Sequence, residues 1–65
     1  MAKNYKNWNV GERVVITFSH SDDINKTGTV VEVRPSFCKI QIDNEFLQNG
    51  KPLIKNHTYG QFKRI

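Results

Sequence analysis

Residues 38–43, Cys38-Lys39-Ile40-Gln41-Ile42-Asp43, alternate apolar and polar side chains without a break, and no stretch of the chain holds a 3.6-residue apolar period over ten residues. A period of two places successive side chains on opposite faces of an extended strand. This segment is therefore expected to be a half-buried strand with Cys38, Ile40 and Ile42 inward and Phe37, Lys39 and Gln41 outward. Two further runs have the same character. Residues 13–18 put Val14, Ile16 and Phe18 on one face and Arg13, Val15 and Thr17 on the other. Residues 28–33 would alternate but for the adjacent Val30 and Val31, and a β-bulge there lets Val30 and Val33 both face inward. Six Val and six Ile against a single Ala strengthen the sheet reading.

Turn-forming residues separate these runs. Ser19 to Lys26 is polar and reads as a long surface loop with Ile24 as its one aliphatic anchor. Arg34-Pro35-Ser36 makes the next turn, because proline lacks a ladder donor and pushes the preceding residue away from helical angles. Asn49-Gly50 is a hairpin signal flanked by Phe46-Leu47 and Leu53-Ile54, and Pro52 marks its strand as an edge or a first residue. Residues 56–61 read as one short helical turn before a closing strand at 62–65. Placing both Phe62 and Ile65 inward requires a bend in that strand. Gly11 precedes the first strand, and Trp8 with Val10 is positioned to fold over one open end. The pattern is an all-β domain: a small five-stranded barrel or open roll.

A chain of 65 residues has material for one core only. The expected organisation is a flexible N-terminal arm over residues 1–8 and one domain over 9–65. Cys38 is the sole cysteine, so no disulfide or zinc knuckle can form within one chain. No apolar run nears the roughly 20 residues that span a bilayer, and the first residues are polar. No membrane partner and a cytoplasmic location are expected. Ten Lys and Arg against six Asp and Glu give a net charge of +4, which favours encounters with phosphate polymers or acidic proteins.

The order Gly11-Glu12-Arg13-Val14-Val15-Ile16, then Lys26-Thr27-Gly28-Thr29-Val30-Val31-Glu32-Val33, then the strand around Ile40 and Ile42, resembles the SH3-like barrels, loosely the KOW type of ribosomal proteins and transcription elongation factors. The resemblance implies a glycine before strand one at Gly11, a glycine at Gly28 allowing the turn into strand two, and Val14, Ile16 and Val30 filling the barrel. It also implies a short helical turn before the last strand. The loop from Phe18 to Lys26 departs from the family in lacking a glycine and in carrying Asp22-Asp23. Similar barrels serve as small accessory proteins of phages and bacteria.

The expected function is a non-catalytic binding module with no cofactor and no metal. Phe37, Lys39 and Gln41, with Arg34 in the preceding turn, combine an aromatic with cations in a way suited to stacking on bases and contacting phosphates of RNA or DNA. Arg13, Lys63 and Arg64 form a second basic group if the first and last strands pair, with Glu12 and Glu32 as competing partners. The alternative is a protein-docking patch containing Trp8 and Tyr59. His20 and His57 are the only histidines, His20-Asp22-Asp23 has no metal-site spacing, and Cys38 is expected inside. A monomer is expected.

Overall fold

A computed structural model of the chain describes residues 7–18 and 22–65. Residues 1–6, most of the expected arm, and 19–21 lie outside the described residues. Five strands form one antiparallel sheet: β1 (Arg13–Ile16), β2 (Thr27–Val33), β3 (Phe37–Phe46), β4 (Pro52–Thr58) and β5 (Phe62–Arg64). The order across the sheet is β4-β3-β2-β1-β5, so β4 and β5 are its two edges. No helix long and apolar enough to cross a membrane occurs among the described residues.

One face of the sheet carries the core. Val14, Ile16, Val30, Val33, Cys38, Ile40, Ile42 and Phe62 are all buried, joined by Trp8, with Tyr59 packed against them. Trp8, within the span expected to form a flexible arm, is thus a core residue. The bulge lies where the paired valines require it: the β2–β3 register shifts between Val30 and Glu32, and Val33 then faces inward opposite Cys38. Arg34 N–H donates to the Phe37 carbonyl at 2.9 Å and closes the turn through Pro35.

Gly28 has a different role from the one the resemblance implies. It sits inside β2, opposite both Val14 and Ile42. A Cβ there would lie 2.6 Å from the Gln41 carbonyl oxygen and 2.7 Å from Ile40 Cγ2, so the glycine permits close approach of two strands. The turn into β2 is carried instead by Asn25, at φ +74°.

Three expectations are corrected. Phe18 is not a core residue but 53% exposed: β1 ends at Ile16, and the N–H groups of Thr17 and Phe18 both reach the Gln61 carbonyl, at 2.8 and 3.2 Å. Successive N–H groups of a regular strand point to opposite sides, so this shared acceptor ends the alternation. The helical turn at 56–61 is absent. Asn56, His57 and Thr58 continue β4 opposite Lys39, Cys38 and Phe37, and only Tyr59 to Gln61 turns, closed by Gln61 N–H on the Thr58 carbonyl at 2.9 Å. The long β3 template outweighs the local turn propensity of Asn and Thr. Finally, Ile65 is 71% exposed. The last strand keeps strict alternation without a bend, with Ile65 N–H donating to Arg13 at 3.2 Å.

The Asn49-Gly50 signal does mark the β3–β4 hairpin. Only Gly50 has positive φ, at +84°; Leu47 N–H donates to Lys51 at 2.8 Å and Gly50 N–H to Leu47 at 2.9 Å. Three residues therefore form the loop, with glycine in the left-handed position. Pro52 begins an edge strand, where its missing N–H leaves no gap in the ladder.

Candidate interaction surface

The face opposite the core collects five of the expected binding residues. Phe37, Lys39 and Gln41 alternate with buried Cys38, Ile40 and Ile42 on β3. Arg13 on β1 pairs with Thr29, which pairs with Gln41, and Lys63 on β5 pairs with Val15. Arg34 lies in the β2–β3 turn beside them. Arg64 does not join the group: it is opposite Val14, with its guanidinium 4.0 Å over the Trp8 ring.

Each arginine is already held by a carboxylate. Arg13 makes a two-pronged contact with Asp43, at 2.9 and 2.5 Å, and a 2.8 Å bond to Thr29 Oγ1. Arg13, and behind it the Thr27 hydroxyl at 2.6 Å, hold the Asp43 carboxyl well below the usual carboxylate range. Arg34 bonds Glu32 at 2.6 Å. Arg64 bonds Glu12 at 2.5 Å and the Asn7 carbonyl, and Glu12 is likewise lowered, chiefly by Arg64. Lys26 reaches Asp23 and Glu45, each at 3.4 Å. Among the described residues, Lys39, Lys51 and Lys63 have no carboxylate partner.

The aromatic patch is drawn into the core. Trp8 meets Phe62 edge-on at 4.9 Å and Tyr59 lies 5.9 Å from the same ring. The Tyr59 hydroxyl donates to the Arg34 carbonyl at 2.5 Å. Phe37 is half-buried.

Sequence reasoning missed a second surface. Along β4 the exposed residues alternate as Pro52, Ile54, Asn56 and Thr58. Phe46 pairs with Pro52, and Ile54 pairs with outward Gln41. Phe46, at 65% exposure, and Ile54, at 48%, therefore flank Pro52 on the outer side of the hairpin. The flanks of Asn49-Gly50 were legible as strands, but their solvent-facing side was not, because three extra β3 residues enter between Gln41 and Phe46, with Asn44 at φ +61°.

Sequence reasoning also missed a buried polar cluster. Asp23 is only 2% exposed and accepts a 2.8 Å bond from Lys55 Nζ. His57, also buried, places Nε2 3.8 Å from the same carboxylate and Nδ1 3.3 Å from Gln61 Oε1. Cys38 lies opposite His57, and burial pushes its thiol up, away from the thiolate form a nucleophile needs. His20 lies outside the described residues, and Asp22 and Asp23 diverge, the first exposed and the second buried.

No protein family, no curated protein and no solved structure matches this chain.

Proposed function

We propose that this chain is a non-catalytic docking module that binds a protein partner through the Phe46, Pro52 and Ile54 strip of its β3–β4 hairpin. The observation that carries this reading is the coincidence of an exposed apolar strip with arginines that are each already ion-paired. Burying the part of Phe46 and Ile54 that is still exposed contributes about 1–2 kcal/mol each at an interface. A phosphate backbone gains much less. Exposed ion pairs are individually weak, about 0–1 kcal/mol, but exchanging carboxylate for phosphate leaves Asp43 or Glu32 beside the incoming anion.

Lys39 and Lys63, both on the outer face, support a second reading in which nucleic acid docks there. Two released counterions predict a salt slope of only about −2. That is weak, nonspecific binding. The meander of β1 to β4 with β5 returning to β1 supports an SH3-like assignment, and the lone buried Cys38 is consistent with a reducing, cytoplasmic setting.

The test compares three folded proteins: wild type, Phe46→Ser with Ile54→Ser, and Lys39→Ala with Lys63→Ala. A protein partner retained by wild type and by the lysine variant, but lost by the strip variant, is the expected result. Binding of RNA or DNA that weakens with salt and disappears in the lysine variant would replace this reading by the nucleic-acid one.

A further inference from the structure

The backbone of β4 shows which of its groups face away from the sheet. Thr58 engages Gln61 with both backbone groups: its carbonyl accepts from Gln61 N–H at 2.9 Å, and its N–H donates to Gln61 Oε1 at 3.1 Å. Across the ladder, the Phe37 carbonyl accepts from Arg34 on the β2 side. Phe37 and Thr58 are thus paired without exchanging hydrogen bonds. In an antiparallel ladder such pairs alternate with hydrogen-bonded ones. His57 and Lys55 therefore bond to Cys38 and Ile40, while Asn56 and Ile54 turn their N–H and C=O groups outward. Among the described residues nothing pairs with those four groups.

This edge is long, Pro52–Thr58, evenly paired with β3 from Ile54 to Thr58, and flanked on its outer side by the apolar strip. The opposite edge, β5, has three residues. The charge around β4 is one-sided. Asp43 and Glu45 on β3 and Glu32 on β2 are ion-paired with Arg13, Lys26 and Arg34, whereas Lys39, opposite Asn56, and Lys51, just before β4, have no such partner among the described residues. A second copy is a poor fit. Full antiparallel overlap of β4 with itself would gather Lys39 and Lys51 of both copies along one seam, and β4 itself carries no carboxylate to offset them.

Resting on the protein-docking reading above, the geometry points to an acidic, extended segment of a partner protein that adds to β4 as a sixth strand. It pairs with the free groups of Ile54 and Asn56, places an apolar side chain beside Ile54 and Phe46, and sets its carboxylates near Lys39 and Lys51. Main-chain bonds supply affinity in such strand addition and the alternate side chains supply selectivity.

The probe is a capped peptide about six residues long, Glu-Thr-Val-Thr-Glu-Thr, whose outer-face residues are Val between two Glu and whose inner-face residues are Thr, titrated into the isotopically labelled chain. Its two controls are the same peptide with Lys in place of Glu, and the same peptide methylated on alternate backbone nitrogens so that it cannot donate to the edge. In the free protein the outward amides of Ile54 and Asn56 are expected to exchange quickly with solvent, and those of Lys55 and His57, bonded to β3, to be protected. The acidic peptide is expected to protect Ile54 and Asn56, and either control to lose at least about tenfold in affinity.

Equal binding of the methylated peptide, with loss of binding in the Phe46→Ser, Ile54→Ser variant, would overturn strand addition and leave the strip reading standing. Equal binding of the Lys peptide would overturn the charge assignment. Protection of Ile54 and Asn56 that rises with protein concentration alone would assign the edge to a second copy, and no response to the acidic peptide at millimolar concentration would end the proposal. The strip reading itself fails separately, if a protein partner survives the strip substitutions or if the binding found is to nucleic acid and disappears in the lysine variant.

Discussion

Asp23 and Lys55, 32 residues apart in sequence, meet at 2.8 Å on the inner side of the sheet, where the carboxylate also lies near Lys26 and His57. The pair fastens the loop before β2 to edge strand β4. Removing the lysine takes from the buried carboxylate its 2.8 Å charged partner, with Lys26 and His57 lying farther off. Breaking a buried pair costs about 3–5 kcal/mol, and the one-third exposure of Lys55 places this one near the lower end. Lys55→Met is expected to cost about 3 kcal/mol in urea denaturation. A change within about 0.5 kcal/mol, the ordinary range for surface sites, would show that the pair does not hold the loop.

Gly28→Ala tests the close approach of β2 and β3. The new methyl would meet a backbone carbonyl as well as Ile40 Cγ2, and overpacking of this kind costs about 1–3 kcal/mol. Gly60→Ala is the matched control, since a Cβ there meets nothing within 4 Å. Equal stability of the two variants would contradict the strand spacing described here.

The acid limb of the stability curve should report Asp43 and Glu12. Both carboxyls are lowered in the folded state by an arginine, so the unfolded chain binds their protons first. Their contribution is fully present above the unfolded carboxylate range, about pH 4, and is lost as pH falls toward the folded values. Asp43→Asn is expected to flatten the pH dependence of the denaturation midpoint below about pH 4 while leaving its shape near neutrality unchanged. An unaltered acid limb would mean that the Arg13 contact is not maintained in solution.

Ile40→Ala and Phe46→Ser separate core from surface. Ile40 is fully buried, and its truncation should cost about 2–5 kcal/mol through lost burial and a cavity. Phe46→Ser, at an exposed hairpin position, should stay within about 0.5 kcal/mol by the same denaturation measurement. A large loss from Phe46→Ser would place that ring in the core and remove it from the docking strip.

What was legible in the sequence was whatever depends on period and on single-residue geometry. Alternation at Cys38, Ile40 and Ile42 fixed the face of β3, and the paired valines located the bulge. The extent of the strands was less legible, because it depends on the partner strand: β4 runs through Asn56 and Thr58 since β3 offers Lys39 and Phe37 opposite them. Side-chain partners across the sheet were least legible. Glu12 does hold Arg64, but Glu32 goes to its near neighbour Arg34, and Arg13 goes to Asp43, 30 residues away. Asp23 reads as a solvated loop acid until Lys55 is brought to it.

The ladder between β1 and β5 joins distant parts of the chain, with Glu12 and Arg64 52 residues apart. Each doubling of a closed loop adds only about 0.6 kcal/mol of entropy, but contacts at such separation form late relative to local hairpins. The β2–β3 and β3–β4 hairpins can assemble while β1 still lacks its outer neighbour. Until Phe62 docks opposite Ile16, the flank of β1 is an open template, so an incompletely folded chain offers other chains a second edge that the finished sheet covers.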